Sequence, residues 1–155
     1  MKTKLLVAAL LAAGAATSAS ASDTYSLTIN ATVIGMCKFT QAAGTVLTLT
    51  NVAGGIDPSS ATSATGTANL TYKCTKGQNP TFATGNGTNY SAPNNRVTNG
   101  TDFMTYTLAY GATTTGTGFG GANLTIAVNC TITSAQFSGV SAGLYTDTVP
   151  VNVTP

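Results

Sequence analysis

The chain of 155 residues contains no histidine, no glutamate and no tryptophan, and carries only ten charged side chains, six basic and four acidic. Histidine and glutamate supply most of the proton transfer that enzymes perform near neutral pH. Without them a serine or cysteine nucleophile has no ordinary base, and a carboxylate pair would need aspartates more than 30 positions apart in sequence. No enzyme is expected. Zinc is excluded by the absence of histidine and of any CxxC pair, and nothing resembles an EF-hand loop, so no metal and no cofactor are assigned. The glycine-rich stretch Gly116 to Gly121 precedes a strand-like run instead of opening a helix, and reads as a flexible connection, not a phosphate loop.

The few charges fall in a telling order. Lys2 and Lys4 precede an apolar run from Leu5 to Ala16 and a small-residue stretch ending Ala19-Ser20-Ala21. This is the pattern of a secretory signal peptide over residues 1–21, cleaved after Ala21. The remaining chain has Lys38, Lys73, Lys76 and Arg96 against Asp23, Asp57, Asp102 and Asp147, a net charge of zero. A neutral chain lacks the clustered basic residues that nucleic acid or anionic lipid would require, so no nucleic-acid partner is expected. Export through the periplasm to the cell surface or medium is the expected route.

Helical periodicity is also missing beyond the leader, whereas alternation of apolar and polar residues is widespread. Strands are expected over Thr45 to Thr50, Thr67 to Cys74, Phe103 to Tyr110, Ala122 to Ile132 and Leu144 to Val153, separated by Gly, Asn, Ser, Thr and Pro. Short strands at this spacing argue for an all-β sandwich or barrel. With 43% apolar residues the chain can build a core, and its surface is polar through Thr, Ser and Asn instead of charge. Such a surface has little charge to oppose edge-to-edge association.

The clearest alternation lies directly behind the cleavage site. Tyr25, Leu27, Ile29, Ala31 and Val33 fall on one face, and Thr24, Ser26, Thr28, Asn30 and Thr32 on the other. Two readings fit: the first strand of the domain's own sandwich, or a strand donated to another molecule. Three cysteines, Cys37, Cys74 and Cys130, allow three single bridges in an oxidising compartment, and spacing alone does not choose among them. A bridge from Cys37 to Cys74 would stabilise the fold by roughly 4 kcal/mol. Cys130, inside a strand-like run, reads as a small buried apolar residue, the alternative being an intermolecular bridge or a bond to Cys74.

These residues carry a resemblance. Ala142-Gly143-Leu144-Tyr145-Thr146-Asp147-Thr148-Val149-Pro150-Val151-Asn152-Val153 resembles the closing strand of the spore coat protein U domain family, which includes subunits of archaic chaperone-usher pili. Met104, Tyr106, Leu108 and Tyr110 downstream of Arg96 resemble its alternating Leu/Tyr strand, and Asp57-Pro58 leading to Gly66 and Cys74 resembles the segment before its second cysteine. Cys37 matches its first cysteine. Two departures are Cys130 and the terminal Thr154-Pro155, where the family commonly has an aromatic residue.

The resemblance implies an immunoglobulin-like β-sandwich lacking one strand, with a Cys37–Cys74 disulfide, residues 22–36 as a donor-strand segment and residues 37–155 as the sandwich domain. It implies a structural pilin of a surface fibre, with neighbouring subunits, a periplasmic chaperone and an outer-membrane usher as partners. Burying Tyr25, Leu27, Ile29 and Val33 in a neighbour would contribute roughly 6 to 12 kcal/mol before ordering costs. Two other assignments compete: a spore coat or cell-surface matrix protein of the same fold, and a small secreted carbohydrate-binding module using Tyr90 and Tyr110. The absence of tryptophan weakens the latter.

Overall fold

The computed structural model describes residues 22–155, in two units that divide between Thr32 and Val33; the expected signal peptide lies outside the described residues. The first unit's described part, residues 22–32, carries neither helix nor strand. The second is an all-β, immunoglobulin-like arrangement of antiparallel strands.

Its frame is a four-stranded sheet in the order β1-β2-β7-β6, formed by β1 (Cys37–Phe39), β2 (Ala64–Cys74), β7 (Leu124–Ile132) and β6 (Thr107–Tyr110). The strand period of two explains why these segments pair. In β2 the inward positions are Ala64, Ala68, Leu70, Tyr72 and Cys74, and the outward ones Thr65, Thr67 and Asn69. In β7 Ile126, Val128, Cys130 and Ile132 are buried, whereas Thr125 and Asn129 are exposed. A register of Gly66 opposite Cys130 and Leu70 opposite Ile126 puts both apolar sets on one face. A shift by one residue would turn them all to water.

Two small ladders cover that face: β3 (Thr81–Thr84) with β8 (Val151–Thr154), and β4 (Arg96–Thr98) with β5 (Phe103–Thr105). They seal two apolar clusters. In one, Val97 and Met104 meet Cys130, Ile132 and Phe137; in the other, Phe82 packs on Tyr72, ring centroids 5.1 Å apart. The turn of helix α1 (Ser134–Phe137) leaves β7 and buries Phe137. Cys37 and Cys74 face each other across β1 and β2 and are joined by a disulfide, and Cys130 is free and buried.

Several expected strands take a different form. The run expected from Phe103 to Tyr110 is interrupted at Tyr106, where the chain passes from pairing with β4 to pairing with β7. Thr45 to Thr50 is not a strand: only Thr50 pairs, with Thr65. Leu144 to Val153 pairs at Thr146 and then from Val151 onward. The alternating run Tyr25 to Val33 is likewise unpaired. For residues 42–49 and the run Tyr25 to Val33 the pattern is that of a strand and the missing component is a ladder partner, because strand geometry without a ladder leaves backbone groups unpaired. The short β1, β3 and β4, three or four residues each, are too brief to announce themselves by alternation.

Candidate functional site: an open apolar groove

The unpaired segments of the domain flank one feature. Between residues 41–49 and residues 142–151 runs a groove of about 1320 Å³, floored by the inner face of the sandwich. Leu70 lies toward one end of the floor, Cys130 with Leu108 opposite it in the middle, and Ile132 toward the other, where Tyr106 and Phe137 also line it.

The first wall arises because the chain peels away from β2. Thr40 still donates its N–H to the Thr71 carbonyl, at 2.9 Å, but Thr71 N–H is taken by the Gln41 side chain at 2.6 Å instead of by backbone. Pairing resumes at Thr50, which exchanges two 3.0 Å bonds with Thr65. Among the described residues, positions 42–49 make no backbone-to-backbone bond. Leu47 and Leu49 still pack on the core, while Val46 stands 83% exposed. Gly66 permits this course, since a Cβ there would collide with the Thr48 carbonyl and the Leu47 side chain.

The second wall is paired on its outer side only. Thr146 exchanges bonds with Thr98, the Thr148 carbonyl accepts from Thr88, and the Pro150 carbonyl accepts from Gly85. Alternation then turns the backbone groups of Tyr145, Asp147 and Val149 toward the groove, and none of them has a backbone partner among the described residues. The wall is braced from behind. Tyr106 donates its hydroxyl to Asp147 Oδ2 at 2.7 Å, while Asn89 donates its backbone N–H and side-chain amide to Asp147 Oδ1. Arg96 holds the same loop through Nε to the Asn89 carbonyl, with its guanidinium over the Phe103 ring. Burial, and then the facing Asp147 carboxylate, push the Tyr106 hydroxyl far above the usual phenol range, so it stays a donor. Asp102 fastens the start of the wall, accepting from the Ser141 backbone and hydroxyl, and these bonds hold its carboxyl below the usual range.

An apolar floor between two backbone edges with free donors and acceptors is the negative of one strand with alternating side chains. The titratable groups lining it are Asp147, Tyr106, Tyr145 and the Cys130 thiol, which burial pushes up to about 11. The five alternating residues identified near the N-terminus have the matching character: Tyr25, Leu27, Ile29 and Val33 are 75–89% exposed, and Ala31 is exposed too. Tyr90 and Tyr110 do not make a sugar platform. Tyr110 is half-buried, stacks on Phe82 at 5.8 Å and hydrogen-bonds Thr84, whereas Tyr90 stands on the loop before β4.

The model of the Spore Coat Protein U domain matches residues 23–152 of this sequence. The chain belongs to the spore coat protein U domain family. No curated protein matches it. Membership makes it a surface or secreted structural protein of fimbrial or spore-coat type, in a family not known for enzymes. Among the described residues no helix is long and apolar enough to cross a membrane. In this spore coat protein U domain the groove walls went unrecognised in the sequence as walls. Their signal was present as two strand-like runs, Thr45 to Thr50 and Leu144 to Val153, but one chain does not reveal which strands lack a partner.

Proposed function

We propose that this chain is a structural pilin, polymerised by insertion of residues 22–36 of one copy into the groove of the next. The observation that carries this reading is the groove itself: a continuous apolar floor between two walls whose inward backbone groups have no backbone partner. Residues 37–155 are then the acceptor domain, and Tyr25, Leu27, Ile29, Ala31 and Val33 the side chains that enter it.

The energies favour a durable joint. Four large apolar side chains contribute roughly 6 to 12 kcal/mol, and ladders on both walls add about 0.5 to 1.5 kcal/mol per hydrogen bond, against roughly 1 to 2 kcal/mol for each residue ordered. The volume exceeds the roughly 300 to 1,000 Å³ of small-molecule pockets and suits a chain segment. An unfilled groove would aggregate, so a periplasmic chaperone must hold the subunit until an outer-membrane usher brings two together. Adhesion or biofilm formation follows from the fibre. A coat-type assembly of the same domain is the alternative, in which the groove is filled within one molecule.

The test is assembly. Unheated samples in SDS should give a ladder of multimers, and electron microscopy thin fibres, both lost when residues 22–33 are deleted or Ile29→Asp is introduced and retained in the outward-facing control Thr28→Asp. A stable monomer from the intact chain, or fibres from Ile29→Asp, would contradict the proposal.

A further inference from the structure

A donor segment covalently attached to its own acceptor should fill that acceptor first. Tethering by a short linker gives an effective concentration in the millimolar range, about a thousandfold above a second copy at micromolar concentration, unless geometry forbids the contact. Here the forbidden route is easily drawn. A tight turn at residues 34–36 would lay the alternating run antiparallel to residues 39–47, along the wall of its own groove, and short turns of two to five residues commonly join such pairs.

Residues 34–36 are instead held straight. Beyond β1 the ladder with β2 continues: Thr75 donates its N–H to the Met36 carbonyl at 2.8 Å. The Thr75 side chain adds a second grip, its Oγ1 accepting from Met36 N–H at 3.1 Å and lying 3.3 Å from the Ile34 carbonyl, to which it donates. Gly35 lies against the Gln78 amide, about 3.0 Å from where a Cβ would stand. The turn carrying Thr75 and Gln78 is itself pinned. Gly77 takes φ +84°, its N–H donates to the Gly116 carbonyl at 2.9 Å, and Gly116 N–H returns a 2.7 Å bond to Gln78. Next to it the Cys37–Cys74 disulfide fixes the first residue of β1. The groove begins only at Phe39, and β1 and β8 approach each other near that end.

We propose that Thr75, supported by Gln78, is a positioning residue that keeps residues 34–36 extended, so the N-terminal segment is delivered to a second copy of this chain and withheld from its own groove. This rests on the strand-donation reading above and names what decides the partner. The hydroxyl is the discriminating group: the sheet hydrogen bond from Thr75 N–H survives Thr75→Val, but the bonds to Met36 N–H and the Ile34 carbonyl do not.

The experiment compares Thr75→Val, which keeps shape and loses the hydroxyl, with Thr75→Ser, which restores it, in the full chain. A second variant inserts two glycines between Gly35 and Met36 and leaves every residue of the domain in place. Each is scored for the ratio of monomer to SDS-resistant multimer, and its monomers for capture of a labelled synthetic peptide of residues 22–36. Thr75→Val and the glycine insertion should raise the monomer fraction about tenfold or more, as monomers whose groove refuses the peptide; Thr75→Ser should behave as the parent. If Thr75→Val fails to fold, the insertion decides alone. Parent-like multimers from both variants would overturn the inference while leaving strand donation intact. Failure of the peptide to bind a chain lacking residues 22–33 would instead remove the reading on which it rests.

Discussion

The described residues contain four aspartates and no glutamate, and two of the aspartates, Asp57 and Asp102, act as loop fasteners. Asp57 accepts from the Ser59 backbone and hydroxyl, and Asp102 from those of Ser141, and these bonds draw both carboxyls below their ordinary range. A carboxyl whose folded pKa lies below its unfolded one contributes stability above the unfolded value and loses it as pH falls through the folded value. The thermal midpoint of the domain should therefore hold through neutral pH and fall below about pH 4. Asp57→Asn and Asp102→Asn should each lower the neutral midpoint and flatten the acid decline, as read by circular dichroism melts. An unchanged acid limb in both variants would show that the hydroxyl bonds do not form. Asp102 matters more for the groove, since Ser141 opens the wall that ends at Val151.

At the scale of elements, legibility followed partnership. β2 and β7 were readable because each shows alternating threonines and apolar residues over nine or more positions, and each has a partner along its length. The donor-like run Tyr25 to Val33 and the wall runs at Thr45 and Leu144 were equally readable as strands, yet the first has no ladder partner and the other two are paired only in part. Periodicity reports which face of a segment is apolar and carries no information on which edge is left open. In the brace from Arg96 through Asn89 and Asp147 to Tyr106, Arg96, Asp147 and Tyr106 were legible only as family-like residues and Asn89 not at all, because the contacts span up to 58 positions. The role of Gly66 was not legible at all, since it depends on how closely residues 47 and 48 approach β2. Gly66→Val should push that wall outward. We expect a loss of roughly 1 to 3 kcal/mol in urea unfolding, the usual cost of overpacking, and weaker capture of the 22–36 peptide. A variant with parent-like stability and capture would mean the wall moves freely.

For the whole molecule, a surface with few charges, an open groove and an exposed alternating segment point the same way. The described residues 22–155 carry four basic and four acidic side chains, so association depends little on electrostatic steering, rests on apolar burial and backbone pairing, and should vary little with salt. Cys130 gives the account its sharpest probe, because the free thiol lies on the groove floor while the other two described cysteines are already bridged. Single cysteines placed in turn at positions 24 to 33 and oxidised mildly at alkaline pH should form reducible bonds to Cys130 of a second copy with a period of two. Bonding should occur at one or more of positions 25, 27, 29, 31 and 33, and fall away at 24, 26, 28, 30 and 32. Bonds between copies with that alternation would place the segment in a neighbour's groove as a strand; bonds without alternation, or only within single chains, would contradict donation.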